Sequence, residues 1–368
     1  MPPQSRPEPR FDWFVPIDGD GEHIGTIRAE RPPTFEYLQQ VVQTAEDNGY
    51  HGLLIPTRFA NGLFEETAPL AETWTTATAL AAVTRRIRFL VAVRPGFISP
   101  GMWAQMASAL SNISGGRLDI NIVPGGIQGD FERLGVHSDH AQRYALASEF
   151  IEASKLLWSK PGPVEFDGEV IKLEGAMVSP APFGDGPRWY LGGASDNALD
   201  LAGRQADNLL MWIQPLDAIA GLMDRARDRF DANSRPAEFG LRTHVIVRDT
   251  EAEAWDAAED LLSQAQVVVE QQRQAAFAGT AMVGQRAQSR SYEEHRVGER
   301  LWNGISTVRV NCGTAIVGDP RQVADELMAY WRLGIDEFIL SGYPHVEEAE
   351  RVAKTLLPLV REAVDAER

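Results

Sequence analysis

Two side chains that can handle protons, the phenol of Tyr343 and the imidazole of His345, stand two residues apart in the stretch DEFILSGYPHVEEAERV. A short apolar run precedes them and apolar residues at helical spacing follow at once, which predicts a buried strand leading into a helix. An ordinary core strand would use the pair only as an end cap. A functional site would place both side chains at a cleft beside the carboxyl end of the strand. The residues alone leave these two interpretations open.

A second pair, Arg242 and His244, lies within the β-rich run 239–247. Because alternate residues of a strand point to the same side, the pattern predicts that both side chains share one face. The pair can simply bind carboxylates of the same fold. In an acidic protein, however, two basic groups on one inward face are better explained by an anionic ligand.

Two glycine-rich stretches also suit ligand binding. In GGASDN, at 192–197, the amides around Ser195 at the start of a predicted helix favour an anion such as phosphate, although Ser195 can equally be a plain helix cap. The stretch VPGGIQGDFERLG, at 123–135, permits the close approach of a flat ligand, or is simply a flexible loop. Trp212 likewise fits either a pocket wall or the core.

Strand–helix units in series must position these residues. Short apolar runs alternate with longer amphipathic ones, from the run 11–16 with a helix over 34–48 to the run 337–342 with a helix over 346–362. About eight such units predict a mixed α/β fold, a parallel (β/α)8 TIM barrel that forms one domain over residues 1–368. Catalytic groups of such barrels gather at the carboxyl ends of the strands. Besides the two pairs above, the expected strand ends carry Asp18, Thr57, Arg58, Arg94, Asn121, Ser195 and Trp212.

Two stretches interrupt the alternation. Residues 164–173, VEFDGEVIKL, place an Asp-Gly turn between two β-rich segments and predict an inserted hairpin. Residues 265–300 are rich in Gln and Arg. A polar connection of that length inside a compact domain is typical of a mobile lid or a disordered segment.

Composition excludes several classes of function. The chain has 368 residues, of which 44% are hydrophobic, so it can bury a large core. A formal charge of -17 argues against nucleic acid and anionic membrane surfaces, whose phosphates would be repelled. The single cysteine, Cys312, excludes an internal disulfide, and no spacing of His or acidic residues suggests a metal site. The first residues lack an apolar signal core, so we expect a cytoplasmic protein.

Three stretches carry a family resemblance: GLRTHVIVRDTEAEAWDAAEDLL, VRVNCGTAIVGDP and FILSGYPHVEEA. They resemble the bacterial luciferase-like flavin monooxygenases, and within them the two-component alkanesulfonate monooxygenases, and the similarity runs across nearly the whole chain. The resemblance implies that reduced FMN (FMNH2), supplied by a separate NAD(P)H-dependent flavin reductase, lies across the barrel mouth and activates oxygen. It also implies a homo-oligomer, either a dimer or a tetramer.

The resemblance assigns roles position by position. Residues that match the flavin site are Arg143, Tyr144 and Ser195 for the phosphate and Thr57, Asn121 and Asp130 for the ring. Residues that match the catalytic set are Arg242, His244, Arg309, Tyr343 and His345, and Trp212 matches a pocket tryptophan. The implied reaction cleaves the C–S bond of an organosulfonate to give sulfite and an aldehyde or other carbonyl product. The two arginines suit the sulfonate oxygens, and His244 and Tyr343 are the candidates for proton handling.

The chain departs from the alkanesulfonate pattern at the mouth. Asp18 stands where those enzymes carry histidine, Asn61 or a neighbour where they carry cysteine, and Pro124 where threonine is common. With Arg58, these residues offer more hydrogen-bonding groups than an alkyl chain requires, which favours a polyhydroxylated substrate such as the sulfosugar sulfoquinovose. Other substrates of the superfamily, namely a sulfone, a pyrimidine or an amine-carboxylate, stay open. So do hydride transfer with a deazaflavin and flavin binding without catalysis.

Overall fold

A computed structural model describes residues 6–126, 128–278 and 282–368 as thirteen strands and thirteen α-helices. The strands are β1 Arg10–Phe14, β2 Gly52–Ile55, β3 Arg88–Val93, β4 Leu118–Ile122, β5 Val164–Asp167, β6 Lys172–Ala176, β7 Trp189–Gly192, β8 Asn208–Trp212, β9 Glu238–Arg242, β10 His244–Val247, β11 Leu301–Trp302, β12 Ala315–Gly318 and β13 Glu337–Leu340. The helices are α1 Phe35–Asp47, α2 Thr73–Ala82, α3 Pro100–Ser114, α4 Gln128–Arg133, α5 His140–Ser159, α6 Asp196–Gln205, α7 Leu216–Ala232, α8 Glu251–Leu261, α9 Val267–Phe277, α10 Val283–Gln288, α11 Pro320–Leu333, α12 His345–Thr355 and α13 Leu357–Glu367.

Eight parallel strands close into a barrel in the order β1-β13-β9-β8-β7-β4-β3-β2. The predicted (β/α)8 barrel is therefore confirmed. Both faces of these strands are buried, because helices cover the outside and side chains fill the inside, which explains their nearly continuous apolar sequences. The side chains that fill the barrel interior are Phe14, Leu54, Leu90, Tyr190, Leu210 and Ile339.

Side-chain caps fix where several helices begin. Asp139 before α5, Thr250 before α8 and Asp319 before α11 each form a reciprocal capping box with the third helical residue. The C-terminal stretch 346–362, expected as one helix, is divided between α12 and α13 at Leu356. Pro358 lies in the first turn of α13, where its missing N–H is tolerated, and it could not have continued α12.

The run 239–247 is not the single strand that its sequence predicts. Its first half is the barrel strand β9, which pairs with β8 and β13. Its second half, β10, pairs in parallel with β12, which in turn pairs antiparallel with β11. The ladder changes partner within one residue: the Thr243 amide donates to the Ile339 carbonyl of β13, whereas the His244 amide donates to the Thr314 carbonyl next to β12. Arg242 and His244 therefore belong to two different sheets.

The inserted hairpin near 164–173 is present as β5 and β6, an antiparallel pair with a register shift. The polar segment 265–300 is more ordered than its composition predicts, since it contains α9 and α10; residues 279–281 of it lie outside the described chain. Buried polar side chains, together with the fully buried Val269, fix it to the barrel. Its motion on ligand binding stays a prediction.

Arg273 anchors α9. Its guanidinium donates to the carbonyls of Val308 (3.0 Å), Asn61 (3.2 Å) and Phe64. Three buried hydrogen bonds to backbone from one side chain explain how a segment with little apolar surface packs against the barrel.

Gln288 anchors α10 in a similar way. Its amide nitrogen donates to the Ile213 carbonyl at 2.7 Å, and its amide oxygen accepts from the Gly313 amide at 3.0 Å. Across the described ranges, no helix is both long and apolar enough to cross a membrane.

Candidate active site

A cavity of about 810 Å³ opens at the carboxyl ends of the barrel strands. This is the end at which the fold predicts a site, and the volume lies in the range of cofactor and ligand pockets. The structure brings ten of the predicted site residues to its wall: Thr57, Arg58, Asn121, Asp130, Arg143, Tyr144, Ser195, Trp212, Arg242 and Arg309. The other four, Asp18, His244, Tyr343 and His345, are buried just behind it.

One end of the cavity is suited to a phosphate. Ser195 caps the start of α6 by accepting from the Ala198 amide at 3.3 Å, so the free amides of the first turn lie beside its hydroxyl. Arg143 and Tyr144, from the first turns of α5, line the same cavity. Burial raises the pKa of Tyr144, and a hydrogen bond with Ser195 opposes that rise. A helix N-terminus, a guanidinium and two hydroxyls together form a seat for a dianion.

Arg94 occupies the wall near that end and was noted in the sequence only as a strand end. Its side chain lies over two rings, with Cζ 5.1 Å from the Phe59 centroid and 5.5 Å from the Phe131 centroid. Within the described residues, neither Nε nor Nη1 of Arg94 has a hydrogen-bond acceptor. Burial lowers the pKa of Arg94 to about 10, and the nearby Asp130 carboxylate opposes that change.

Gly126 is required beside Arg94. A Cβ at this position would lie 2.5 Å from Arg94 Nη1 and 2.5 Å from the Phe131 ring. A glycine at this position therefore lets the backbone of the loop approach the buried Arg94 guanidinium closely. A flexible loop alone would not require a glycine here.

Arg242 and Arg309 form the other end of the cavity. Their Cζ atoms lie 4.5 Å and 5.1 Å from the centroid of the Phe14 ring. Both residues are 2% exposed, and neither forms an ion pair with a carboxylate in the part of the chain that the structure describes. Burial lowers the pKa of Arg242 to about 10. Two buried guanidinium groups without counter-charges make this end strongly attractive to an anion.

Arg58 differs from these two arginines because it has a counter-charge. Its Nε lies 2.9 Å from Asp18 Oδ2, and both side chains are buried. Burial lowers the pKa of Arg58, and the Asp18 carboxylate opposes that change. Arg58 lines the cavity and Asp18 does not, so a ligand would contact the arginine. Asp18 is in a position to orient that arginine.

Asn61 lines the cavity, but its amide is fully used by the protein. Its nitrogen donates to the carbonyls of Asp18 (2.7 Å) and Pro69 (3.0 Å). Its oxygen accepts from the amides of Leu63 and Phe64 at 3.0 Å and 2.8 Å. The expectation that Asn61 enriches the mouth in free hydrogen-bonding groups is therefore wrong, because the residue holds the loop 61–64 in shape.

Tyr343 does not line the cavity itself, but it contacts Arg309, which does. Arg309 Nη1 donates to the Tyr343 hydroxyl at 2.8 Å, and burial raises the pKa of Tyr343 to about 12. The Tyr343 ring stacks on His244, with centroids 5.5 Å apart, and meets His345 edge-on at 5.2 Å. The phenol and imidazole at the strand end thus form a layer beneath Arg242 and Arg309.

His345 is the most enclosed member of this layer. Neither of its ring nitrogens has a hydrogen-bond partner among the described residues, and burial, helped by Arg309 and Arg242, lowers its pKa well below the usual range. Its backbone amide donates to Asp20 Oδ2 at 2.6 Å, which fixes the start of α12. His345 is a neutral ring in this arrangement and does not contact the cavity.

These residues fit FMN. The phosphate seat lies at one end, and Asn121 Oδ1, at the carboxyl end of β4, is buried without a partner in the described chain and lines the same cavity. Thr57 and Asp130 line that wall as well. No group of three or more His, Cys, Asp or Glu side chains in the described ranges is arranged to hold a metal ion.

Comparison with known proteins agrees with the fold. The profile of the family described as luciferase-like monooxygenase matches residues 10–337. Three solved structures each align over 97% of this chain with a TM-score of 0.78. They are riboflavin lyase (RcaE) with modified FMN and riboflavin, at 18% identity over 92% of its chain, long-chain alkane monooxygenase (LadA), at 18% identity over 92%, and DmoA from Hyphomicrobium sulfonivorans, at 19% identity over 89%. At these identities the structural likeness establishes the fold alone.

Proposed function

We propose that this chain, which belongs to the luciferase-like monooxygenase family, is a two-component monooxygenase that desulfonates an organosulfonate. Reduced FMN and O2 would be its co-substrates, and sulfite and a carbonyl compound its products. A separate NAD(P)H-dependent reductase would supply the flavin. We also propose a cytoplasmic homo-oligomer, a dimer or a tetramer.

One observation carries the proposal: Arg242 and Arg309 are buried on the same ring, Phe14, without a carboxylate partner in the described chain. Burying an uncompensated charge costs several kcal/mol, so such a pair is costly unless a ligand supplies the counter-charge. A sulfonate has three oxygens that share one negative charge, and guanidinium groups bind such anions through paired N–H donors. An uncharged alkane would leave both arginines uncompensated.

The wall between the two cavity ends supports a hydroxylated substrate. Arg58 lines it, held by Asp18 at 2.9 Å, and its Nη2 also donates to the Val310 carbonyl at 3.3 Å. A guanidinium oriented in this way has further N–H donors for substrate hydroxyl groups. Trp212, at the end of β8 on the opposite side of the barrel, also lines the cavity and offers an apolar face for the ring of a sugar. A sulfosugar such as sulfoquinovose therefore fits better than a plain alkanesulfonate.

The flavin site would use the residues at the other end. Arg143, Tyr144 and Ser195 would hold the phosphate, and Asn121 with Thr57 would contact the ring. When bound, reduced FMN supplies the oxygen activation. The remaining tasks of the protein are to orient the sulfonate and to exclude water from the reacting groups.

Tyr343 is the residue that we propose for proton handling. Its pKa of about 12 keeps the hydroxyl protonated at neutral pH, and its bond to Arg309 places it one guanidinium away from the bound anion. A protonated phenol that came into contact with the bound anion could donate its proton to an oxygen of the sulfite that departs when the C–S bond breaks.

The test is a release assay. The protein is incubated with FMN, an NADH-dependent flavin reductase and a panel of an alkanesulfonate, a sulfosugar, a sulfone, a pyrimidine and an amine-carboxylate. We expect sulfite and one equivalent of carbonyl product from a sulfonate, and more from the sulfosugar. Oxygenation of the other compounds without sulfite release from any sulfonate would reject the substrate class while keeping the family chemistry.

A further inference from the structure

Ser341, which follows β13, is fully buried between Arg242 and His244. Arg242 Nη2 lies 2.7 Å from Ser341 Oγ, and Ser341 Oγ lies 2.7 Å from His244 Nδ1. On the far side of the imidazole, His244 Nε2 lies 3.1 Å from the Cys312 carbonyl oxygen. The Cys312 thiol lies 3.3 Å from the Arg242 carbonyl oxygen, which closes a ring of four residues.

The direction of each hydrogen bond in this ring follows from its chemistry. A carbonyl oxygen only accepts, so His244 Nε2 carries the hydrogen. A neutral imidazole then has Nδ1 as an acceptor, and the Ser341 hydroxyl must donate to it. The Ser341 oxygen is left with lone pairs, which accept from the Arg242 guanidinium. With His244 neutral, which agrees with the lowering of its pKa by burial, one arrangement of hydrogens satisfies all four contacts.

We propose that Ser341 and His244 are positioning residues, which hold the Arg242 guanidinium at the anion-binding end of the cavity through this closed ring. The proposal rests on the proposed role of Arg242 as a ligand of the substrate anion. It changes the role expected of His244, because both of its ring nitrogens are occupied by protein atoms. An imidazole bonded on both sides orients its neighbours and does not take a proton from the substrate.

The ring also joins segments that are far apart in sequence. Arg242 ends β9, His244 begins β10, Ser341 follows β13, and Cys312 lies in the loop before β12. The ring thus spans the point at which the chain leaves the barrel for the small sheet. A guanidinium held by a rigid acceptor loses little freedom when it binds an anion, which is the advantage of preorganisation.

The first experiment removes the central hydroxyl with Ser341→Ala. Hydrogen bonds to charged groups contribute about 1.5–3 kcal/mol, so we expect KM for the sulfonate to rise about tenfold to a hundredfold with a smaller change in kcat. Ser154→Ala is the matched control, since it deletes an equally buried serine hydroxyl in α5, outside the cavity. Should Ser341→Ala fail to fold, Ser341→Cys keeps a side chain of similar shape and carries the same expectation.

The second experiment separates positioning from proton transfer. His244→Asn retains an amide that can accept from Ser341, whereas His244→Ala retains nothing. A positioning role predicts that His244→Asn keeps kcat within about tenfold of the wild type and leaves the pH profile of kcat unchanged. A proton-transfer role predicts that both variants lose kcat equally and that one limb of the pH profile disappears, and this result would overturn the proposal.

A third measurement does not depend on the substrate. Two-bond 15N–1H correlation spectra of the full-length protein should show His244 as the neutral Nε2–H tautomer, and Ser341→Ala should shift the Nδ1 resonance. If no sulfonate releases sulfite, the proposed function fails, and the spectra still decide whether the ring exists. A protonated His244, or an Nδ1 resonance unchanged by Ser341→Ala, would overturn the ring itself.

Discussion

Charged side chains lie at both ends of the barrel, but the two ends differ in whether the arginines have carboxylate partners. At the amino ends of the strands, arginines are paired: Arg88 donates twice to Asp119 at 2.7 Å, and Arg10 donates to Glu337 at 2.8 Å. At the carboxyl ends, Arg58 is paired with Asp18, but Arg242 and Arg309 have no carboxylate partner in the described chain. At the amino ends, the arginines are compensated by carboxylates of the protein itself, and these pairs stabilise the fold. The positive charges of Arg242 and Arg309 would be compensated by an anionic ligand, which is why we propose that the function lies at this end.

The largest effect should come from the unpaired end. Arg242→Ala and Arg309→Ala should each weaken transition-state binding of the sulfonate by about 2–5 kcal/mol, a loss of roughly 30-fold to several-thousand-fold in kcat/KM. The melting temperature should not fall, because each variant removes a buried charge that the protein leaves uncompensated. Sulfite release and thermal unfolding measure the two quantities.

Arg286→Ala is the control for that experiment, since it removes an exposed arginine of α10 and should leave both quantities unchanged. Sulfite release by Arg242→Ala at the wild-type rate would remove the distinction between the two ends of the barrel.

The paired end should respond in the opposite way. Arg88→Ala leaves the buried Asp119 carboxylate with only the Arg188 amide, 3.1 Å away, as a donor. We expect a loss of about 2 kcal/mol in the free energy of unfolding, below the usual range for a broken buried pair because Arg88 is partly exposed. Denaturant titration measures this loss. The kcat of the remaining folded protein should match the wild type; a variant that is stable but inactive would contradict the assignment.

The pH dependence of stability should also originate at the paired end. Burial, with the nearby Asp12 carboxylate, raises the pKa of Glu337 to about 8. A raised pKa means that the folded state holds the proton more tightly, so this contribution is complete below the ordinary carboxyl pKa and is lost as pH rises towards 8. Glu337→Gln is neutral at every pH and should show a smaller fall in stability between about pH 5 and 8.

Glu238 supplies a control of opposite sign for the same titration. Although burial acts against it, hydrogen bonds and ion pairs with Arg188 and Arg10 lower the pKa of Glu238. Its contribution is present above the ordinary carboxyl pKa and is lost as pH falls, so Glu238→Gln should alter the acid side of the curve. Identical curves for the two variants would show that neither carboxyl group is the source.

The smallest expected effect comes from replacing Arg94, which also lies at the carboxyl ends of the strands without a carboxylate ion pair in the described chain. Arg94→Met replaces a buried guanidinium, two of whose nitrogens have no acceptor in the described chain, with an apolar side chain of similar length. We expect the free energy of unfolding to rise by about 1 kcal/mol. Affinity for reduced FMN, followed by anaerobic titration, should fall in the same variant. A destabilised Arg94→Met protein would mean that Arg94 is a structural residue.

Much of the fold follows from local sequence patterns. The eight units are predictable because both faces of the barrel strands are buried and many of the following helices, such as α1, α6 and α12, are amphipathic. The hairpin is predictable because an Asp-Gly turn acts over a few residues. The end of β9 is not predictable in this way, because the break at Thr243 depends on which distant strand accepts the next hydrogen bond.

The candidate site also has a part that local sequence predicts and a part that it does not. Strand ends such as Arg58, Asn121 and Arg242 are visible in the sequence because the barrel collects them at one mouth. The contacts that define their roles join distant residues, as in the Asp18–Arg58 pair and the bond from Ser341 to His244. The helices within the segment 265–300 could not be predicted from its composition, because composition counts apolar surface and does not show that Arg273 donates to three buried carbonyls.

The anchors of that segment have a thermodynamic consequence. Arg273 bonds the Val308 carbonyl, Gln285 accepts from the Asn311 amide at 2.8 Å, and Gln288 accepts from the Gly313 amide, so the segment is fastened to both sides of Arg309. Its ordering and the capture of an anion by Arg309 are then linked equilibria that share one coupling free energy. Whatever the anion adds to the stability of the segment, the segment adds to the affinity for the anion. A substitution of one of these anchors, Arg273, Gln285 or Gln288, should therefore weaken substrate binding, and a bound sulfonate should slow amide hydrogen exchange in both helices.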